Sequence, residues 1–237
     1  MSDRFTKSVS IVRIKAIFWD VGGTLAEATA DTLNNLRDDL ELCGIAREAI
    51  TCDAFAGAQA IWEADWPTWQ TEMEEQAGNL RRAQNLLRDA QLPQSAIGKV
   101  ARQLNTYARH YKVTKDIELL LDYLTVQGLR QGVISNWPPS LRHFLNQHKL
   151  TRHFEAIVCS GELGISKPSS EIFRHALDAL ELKPEEALYI GDNLCSDILP
   201  ARAMGMYAIH FSPWQCNTDA EARDVKFLSK LLNKLMT

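Results

Sequence analysis

Apolar residues arrive along this chain in short runs that stop on polar ones. VRIKAIFW, residues 12–19, is rich in β-branched and aromatic side chains and stops at Asp20, which predicts a strand delivering one carboxylate to its carboxyl end. RQGVISN (130–136), FEAIVCS (154–160), ALYIGD (187–192) and MYAIHF (206–211) repeat the pattern. Helical periodicity fills the intervals, at 116–127 with Gly128 as a C-cap, about 140–149, 169–181, about 197–204 and about 220–235. In the third of these, Ile172, Phe173, Ala176, Leu177 and Leu180 share one face.

Residues 29 to about 112 have a different texture. They are rich in Ala, Leu, Gln, Glu and Arg, poor in β-branched residues, and predict several helices. In NLRRAQNLLRDAQL the spacing puts Leu80, Ala83, Leu87 and Ala90 on one face, and Pro93 closes that helix. Trp62, Trp66 and Trp69 crowd the segment and are expected to form the core of a small helical unit. Strands alternating with helices predict an α/β fold with a Rossmann-like parallel sheet. About 110 residues separate the first strand from the second, far more than one crossover helix needs. The expected organisation is therefore an α/β core of residues 1–26 and 113–237 with an inserted α-helical cap, 27–112, over the carboxyl ends of the strands, where such sheets bind ligands.

Composition narrows the function. The chain has 237 residues, 46% hydrophobic and 24% charged, with a net charge of −4, and its longest basic run is Arg81-Arg82, so no nucleic-acid partner is expected. No apolar stretch reaches the length of a membrane span, and the polar start MSDRFTKSVS has no apolar signal core. Cys43, Cys52, Cys159, Cys195 and Cys216 are odd in number and contain no CxxC, which fits reduced thiols and a cytoplasmic location. The six histidines show no metal-ligand spacing. Oligomeric state is not encoded in any of these features.

The chemistry gathers at the strand ends. Asp20 follows IFW, Ser135 and Asn136 follow GVI, Lys167 lies in the loop after IVCS, and Asp192 and Asp197 follow LYI. In a parallel sheet these groups converge on one crevice. Carboxylates hold a hard divalent cation such as Mg²⁺, a further carboxylate serves as nucleophile, and a lysine with a hydroxyl neutralises phosphoryl oxygens. The constellation therefore suits phosphoryl transfer on a small phosphorylated molecule. GELGISKP is not a phosphate-binding P-loop, because Ser166 stands where that motif needs its second glycine.

The same residues, in this order, resemble the haloacid dehalogenase superfamily. DVGGTL is similar to its first motif, DxDGT, ISN to the second, the lysine of SKPSSEIF to the third, and GDNLCSD followed by ARAMGM to the fourth. The helical insertion sits where one large subfamily carries a small α-helical cap. The resemblance implies Asp20 as nucleophile forming an aspartyl-phosphate, with Ser135 and Lys167 stabilising the transferring group. It implies substrate contacts from Ser135, Asn136, Trp137 and Lys167, and Mg²⁺ bound by Asp20, the Gly22 carbonyl, Asp192 and Asp197.

Gly22 departs from that pattern. The superfamily's phosphatases usually have an Asp there as general acid and base, a contribution of typically about 10²–10⁴-fold. The expected activity is a Mg²⁺-dependent hydrolase of small phosphorylated metabolites, biased by Gly22 toward good leaving groups. The alternatives are a catalytically weak or non-catalytic binding or regulatory protein, or a carbon–halogen or carbon–phosphorus hydrolase of the same superfamily. The absence of lysine between Lys15 and Lys99 argues against a cap Schiff base, and GDNLCSD argues against metal-free dehalogenation.

Overall fold

A computed structural model describes residues 14–28, 32–105, 110–213 and 224–236. The expectations for the N-terminal lead-in, for the start of the first strand, for Cys216 and for the start of the last helix fall outside these residues. Five strands form one parallel sheet: β1 (Ala16–Trp19), β4 (Arg130–Ser135), β5 (Ala156–Cys159), β6 (Ala187–Gly191) and β7 (Tyr207–His210), ordered β5-β4-β1-β6-β7. β1 is central, with Trp19 level with Val133 on one side and Ile190 on the other. The order reverses direction at β1, which opens a crevice at its carboxyl end, directly at Asp20.

Alternation along β1 builds both faces of the sheet. Ile17 and Trp19 face one core with Val133, Leu188 and Ile190, covered by α5 (Lys115–Val126), α6 (Leu141–Gln147) and α10 (Val225–Met236). Ala16 and Phe18 face the other with Ile134, Ala187 and Tyr189, covered by α8 (Ser170–Ala179) and α9 (Leu199–Ala203). Continuous apolar strands are the signature of a sheet covered on both faces. The stripe of Ile172, Phe173, Ala176 and Leu177 on α8, with Leu180 at its C-cap, is buried as its spacing predicts. Burying each of the four larger side chains contributes about 1.5–3 kcal/mol, and the Ala176 methyl about 0.8 kcal/mol.

A two-residue antiparallel ladder, β2 (Glu27–Ala28) with β3 (Tyr111–Lys112), brackets the helical segment. Between them lie α1 (Thr32–Glu41), α2 (Cys52–Asp65), α3 (Glu72–Asp89) and α4 (Ile97–Asn105). These helices share a hydrophobic cluster of their own, including Leu36, Leu40, Ile50, Leu86, Leu87 and Val100. α3 opens with a reciprocal capping box between Thr71 and Glu74. Its buried face is rotated from the expected one. Leu80 is 41% exposed, while Ala83, Leu86 and Leu87 are buried with Asn79 and Arg82. The physical reason is polar pairing: Arg82 donates to Asn79 Oδ1 (2.8 Å) and to the Ala58 carbonyl (3.3 Å), so this stripe is closed by hydrogen bonds as well as by apolar contact.

Among the tryptophans, Trp69 is buried, whereas Trp62 and Trp66 are half-buried and stack on each other at 5.6 Å. Cys43, Cys52, Cys159 and Cys195 are free. Burial pushes the Cys159 thiol up to about 12, which keeps it protonated and unreactive. No helix among the described residues is long and apolar enough to cross a membrane.

Candidate active site

Asp20 leaves β1 with its backbone N–H donating to the Ile190 carbonyl of the neighbouring strand (2.9 Å), which continues the sheet to the edge of the crevice. The chain then turns back tightly. Ala26 N–H donates to the Val21 carbonyl (2.9 Å) and Gly23 N–H to the Ala26 carbonyl (2.8 Å). Gly23 has φ +81°, and a Cβ there would overlap the Asp192 carboxylate. The position therefore requires glycine twice over, for its backbone angle and for the approach of the loop to Asp192.

The strand ends do converge. Ser135 Oγ, at the tip of β4, donates to Asp20 Oδ1 at 2.9 Å, and Lys167 Nζ donates to the same oxygen at 2.7 Å. Lys167 Nζ also donates to Asp197 Oδ1 at 2.5 Å and to the Tyr189 hydroxyl at 2.9 Å, and that hydroxyl donates to the Ile134 carbonyl at 3.0 Å. Lys167 is thus a buried ammonium with three acceptors, the full complement for an amine of this type. Asn136 is bonded at both ends of its amide to the Lys167 backbone, accepting from its N–H (2.8 Å) and donating to its carbonyl (2.9 Å). It holds the lysine loop against β4.

Asp192 and Asp197 complete the cluster. Carboxylate oxygens of Asp20, Asp192 and Asp197 all lie within 4.8 Å of one another. Asp197 sits in a single π-type turn, Leu194–Ile198, ahead of α9, and accepts from Asn193 N–H at 3.0 Å. The Asn193 side chain caps the turn by accepting from Cys195 and Ser196 N–H. Such π-turns aim a side chain that a regular helix start would direct elsewhere.

Trp137 is buried, stacks on Phe144 at 5.2 Å, and meets the Tyr111 ring at 4.7 Å. Its six-membered ring comes within contact distance of the place where a Gly22 Cβ would be, 3.4 Å away. Two residues beyond the sequence motifs belong to the site. Tyr189 is an inward-facing strand residue whose hydroxyl bonds Lys167, and Tyr111 rises from the short ladder beside Gly22. Alternation marks Tyr189 as buried, but nothing local in the sequence pairs it with Lys167.

The electrostatics are those of crowded anions. Burial pushes the Asp20 carboxyl up, with Lys167 pulling it back and Asp197 adding to the rise. Burial, then Asp20 and Asp197, push Asp192 up to about 7. Lys167 also pays for burial, but the two carboxylates outweigh it and hold its pKa above the ordinary lysine value. Three carboxylates face one ammonium, so the buried charge is unbalanced when all are ionised. An all-oxygen donor set with surplus negative charge fits a hard divalent cation.

The family model described as haloacid dehalogenase-like hydrolase matches residues 62–211. The haloacid dehalogenase-like hydrolase domain-containing protein 3 of Xenopus laevis is 32% identical over 126 residues, 52% of this chain and 51% of that protein. A phosphoserine phosphatase of Thermus thermophilus is 37% identical over 102 residues, 43% of this chain and 41% of that one. The chain thus spans about half the length of these relatives or less. The crystal structure of a 2-haloacid dehalogenase from Pseudomonas syringae superposes with a TM-score of 0.67 at 20% identity, covering 93% of this chain and 99% of that one, which establishes the shared α/β fold.

Proposed function

This chain belongs to the haloacid dehalogenase-like hydrolase family, and from that premise we propose that it is a Mg²⁺-dependent phosphatase of small phosphorylated metabolites that works through an aspartyl-phosphate on Asp20. One observation carries the reading: Ser135 and Lys167 both donate to Asp20 Oδ1, and no described residue donates to Oδ2. The carboxylate is held by one oxygen, and the other is left for bond formation. Its partners are the groups that phosphoryl oxygens need as charge shifts onto them. The Thermus thermophilus relative, itself a phosphoserine phosphatase, supports phosphate-ester hydrolysis as the reaction class.

In the proposed reaction Asp20 Oδ2 forms a bond to phosphorus as the bond to the leaving oxygen breaks. Water then attacks phosphorus and releases Asp20 and inorganic phosphate. Lys167 stays protonated throughout, because Asp197 holds it at 2.5 Å, so its charge is available to both steps. Ser135 donates to the nucleophile before reaction and to a phosphoryl oxygen after it. Asp20, Asp192, Asp197 and the Gly22 carbonyl are the candidate ligands of Mg²⁺. When bound, the ion offsets the carboxylate repulsion and the charge of the phosphoryl group.

Residues 27–112 would act as a cap that shapes the substrate end of the crevice. Its tie to the core supports this. Glu75 of α3, buried, accepts from Ser140 N–H at 2.9 Å and from Ser140 Oγ at 2.8 Å, at the start of α6. Burial raises the Glu75 carboxyl and the two Ser140 donors pull it back, so the contact is a polar clasp in an otherwise desolvated joint.

The test is phosphate release from acetyl phosphate and p-nitrophenyl phosphate. Turnover is expected with Mg²⁺, is lost on chelation, and returns on adding the ion back. Turnover indifferent to chelation, or halide release from 2-haloacids in place of phosphate release, contradicts the proposal.

A further inference from the structure

Two donors meet Asp20 Oδ1, and they come from different parts of the chain. Ser135 Oγ is carried by the end of β4, and Lys167 Nζ by the loop ahead of α8. A serine on a strand is held in place by the sheet. A lysine is a point charge on a flexible stem with rotatable donors. Two anions compete for this one, Asp20 at 2.7 Å and Asp197 at 2.5 Å. Attraction alone does not fix where the ammonium rests between them.

Tyr189 supplies the third point. Its hydroxyl accepts from Lys167 Nζ at 2.9 Å and donates to the Ile134 carbonyl at 3.0 Å, with Asp197 Oδ1 at 3.2 Å. Ile134 directly precedes Ser135 in β4, whereas Tyr189 lies in β6, with β1 between the two strands. The phenol therefore crosses β1 on the Phe18 face of the sheet and ties the lysine to the strand that carries the serine. Its ring is fully buried, with Phe173 of α8 edge-on at 5.3 Å. The Ile134 carbonyl alone satisfies a buried phenol. The bond to an ammonium that also holds Asp20 is what burial does not explain.

We propose that Tyr189 is a positioning residue for phosphoryl transfer: its hydroxyl holds the Lys167 ammonium on Asp20 Oδ1, together with Ser135, and so keeps Oδ2 as the attacking oxygen. The inference rests on the phosphoryl-transfer reading of Asp20. No proton moves through the phenol, which acts only through Lys167. Without the hydroxyl the ammonium keeps Asp20 and Asp197 as acceptors but is free to shift toward Asp197. Its charge then leaves the oxygens of the transferring group, and a displacement of about 1 Å costs on the order of 10²-fold in rate.

The experiment measures p-nitrophenyl phosphate hydrolysis by wild type, Tyr189→Phe, Phe173→Leu and Asp20→Asn. Single-turnover release of p-nitrophenolate at saturating protein gives a rate constant to which unfolded molecules do not contribute, and steady-state kinetics give KM. Tyr189→Phe keeps the ring, and is expected to slow the single turnover about 10–10²-fold with KM within about 3-fold of wild type. Phe173 has no polar side-chain atom to offer Lys167, so Phe173→Leu loosens the same core and is expected to lower Tm while changing the rate constant less than about 3-fold. Four results overturn the role of Tyr189 and leave Asp20 chemistry in place: an unchanged rate constant in Tyr189→Phe, a loss confined to KM, an equal loss in Phe173→Leu, or a Tyr189→Phe protein that does not melt cooperatively. A wild type inactive on p-nitrophenyl phosphate, or an Asp20→Asn variant with undiminished activity, overturns the underlying phosphatase reading and the Tyr189 role with it.

Discussion

Replacing Lys167 with methionine is expected to abolish turnover and to destabilise the metal-free protein by about 3–5 kcal/mol, the usual cost of removing one partner from a buried ionic cluster. Lys167 is 5% exposed and sits 2.7 Å from Asp20 and 2.5 Å from Asp197. Methionine matches its length but leaves buried Asp20 and Asp197 and half-buried Asp192 with no cation among them. The Tyr189 hydroxyl also loses the donor it accepts from. Chemical denaturation in the presence of chelator measures the loss. Combining Lys167→Met with Asp20→Asn removes one of the stranded charges and should recover part of the stability, a non-additivity expected of groups in direct contact. If the two changes simply add, the cluster is not coupled as its distances indicate.

The second large effect falls on Asp20 itself. Asp20→Asn is expected to lower phosphatase kcat by on the order of 10⁴-fold or more, as removal of a nucleophile commonly does. The fold should survive. An asparagine oxygen still accepts from Ser135 and Lys167, and Asp197 still pairs with Lys167. Burial disfavours the charged form of Asp20, so the neutral amide removes a cost from the metal-free protein. An inactive variant with an unchanged or raised Tm separates lost chemistry from lost structure. A variant that is inactive because it no longer melts cooperatively would place Asp20 in the framework instead.

The parallel sheet was legible because each strand announces itself locally. β1, β4, β5, β6 and β7 are short apolar runs between helical stretches, and Asp20, Ser135 and Asp192 fall at or just past strand ends, where hydrophobic patterning stops. Their convergence needed no distance information beyond the parallel arrangement. Lys167 and Asp197 depended on ordered motifs, since a loop lysine and an aspartate in a π-type turn carry no periodic signal of their own. The rest is spatial. Tyr111 belongs to a two-residue ladder too short to register as a strand, and it reaches Gly22 only once β2 and β3 pair across the whole helical segment. Glu75 reads as one acid among several on α3, and its bond to Ser140 exists only in the packed molecule. The buried stripe of α3 was displaced because apolar spacing cannot foresee that Arg82 and Asn79 will satisfy each other inside.

Covalent trapping on Asp20 tests the central claim most directly. The protein is quenched during turnover of acetyl phosphate, reduced with borohydride, digested, and examined by mass spectrometry. An aspartyl-phosphate is an acyl phosphate, so reduction converts the residue to homoserine. The account predicts homoserine at position 20, present with substrate and absent without it. No reduction at Asp20 while turnover proceeds, or homoserine at another acid such as Asp192, would contradict it.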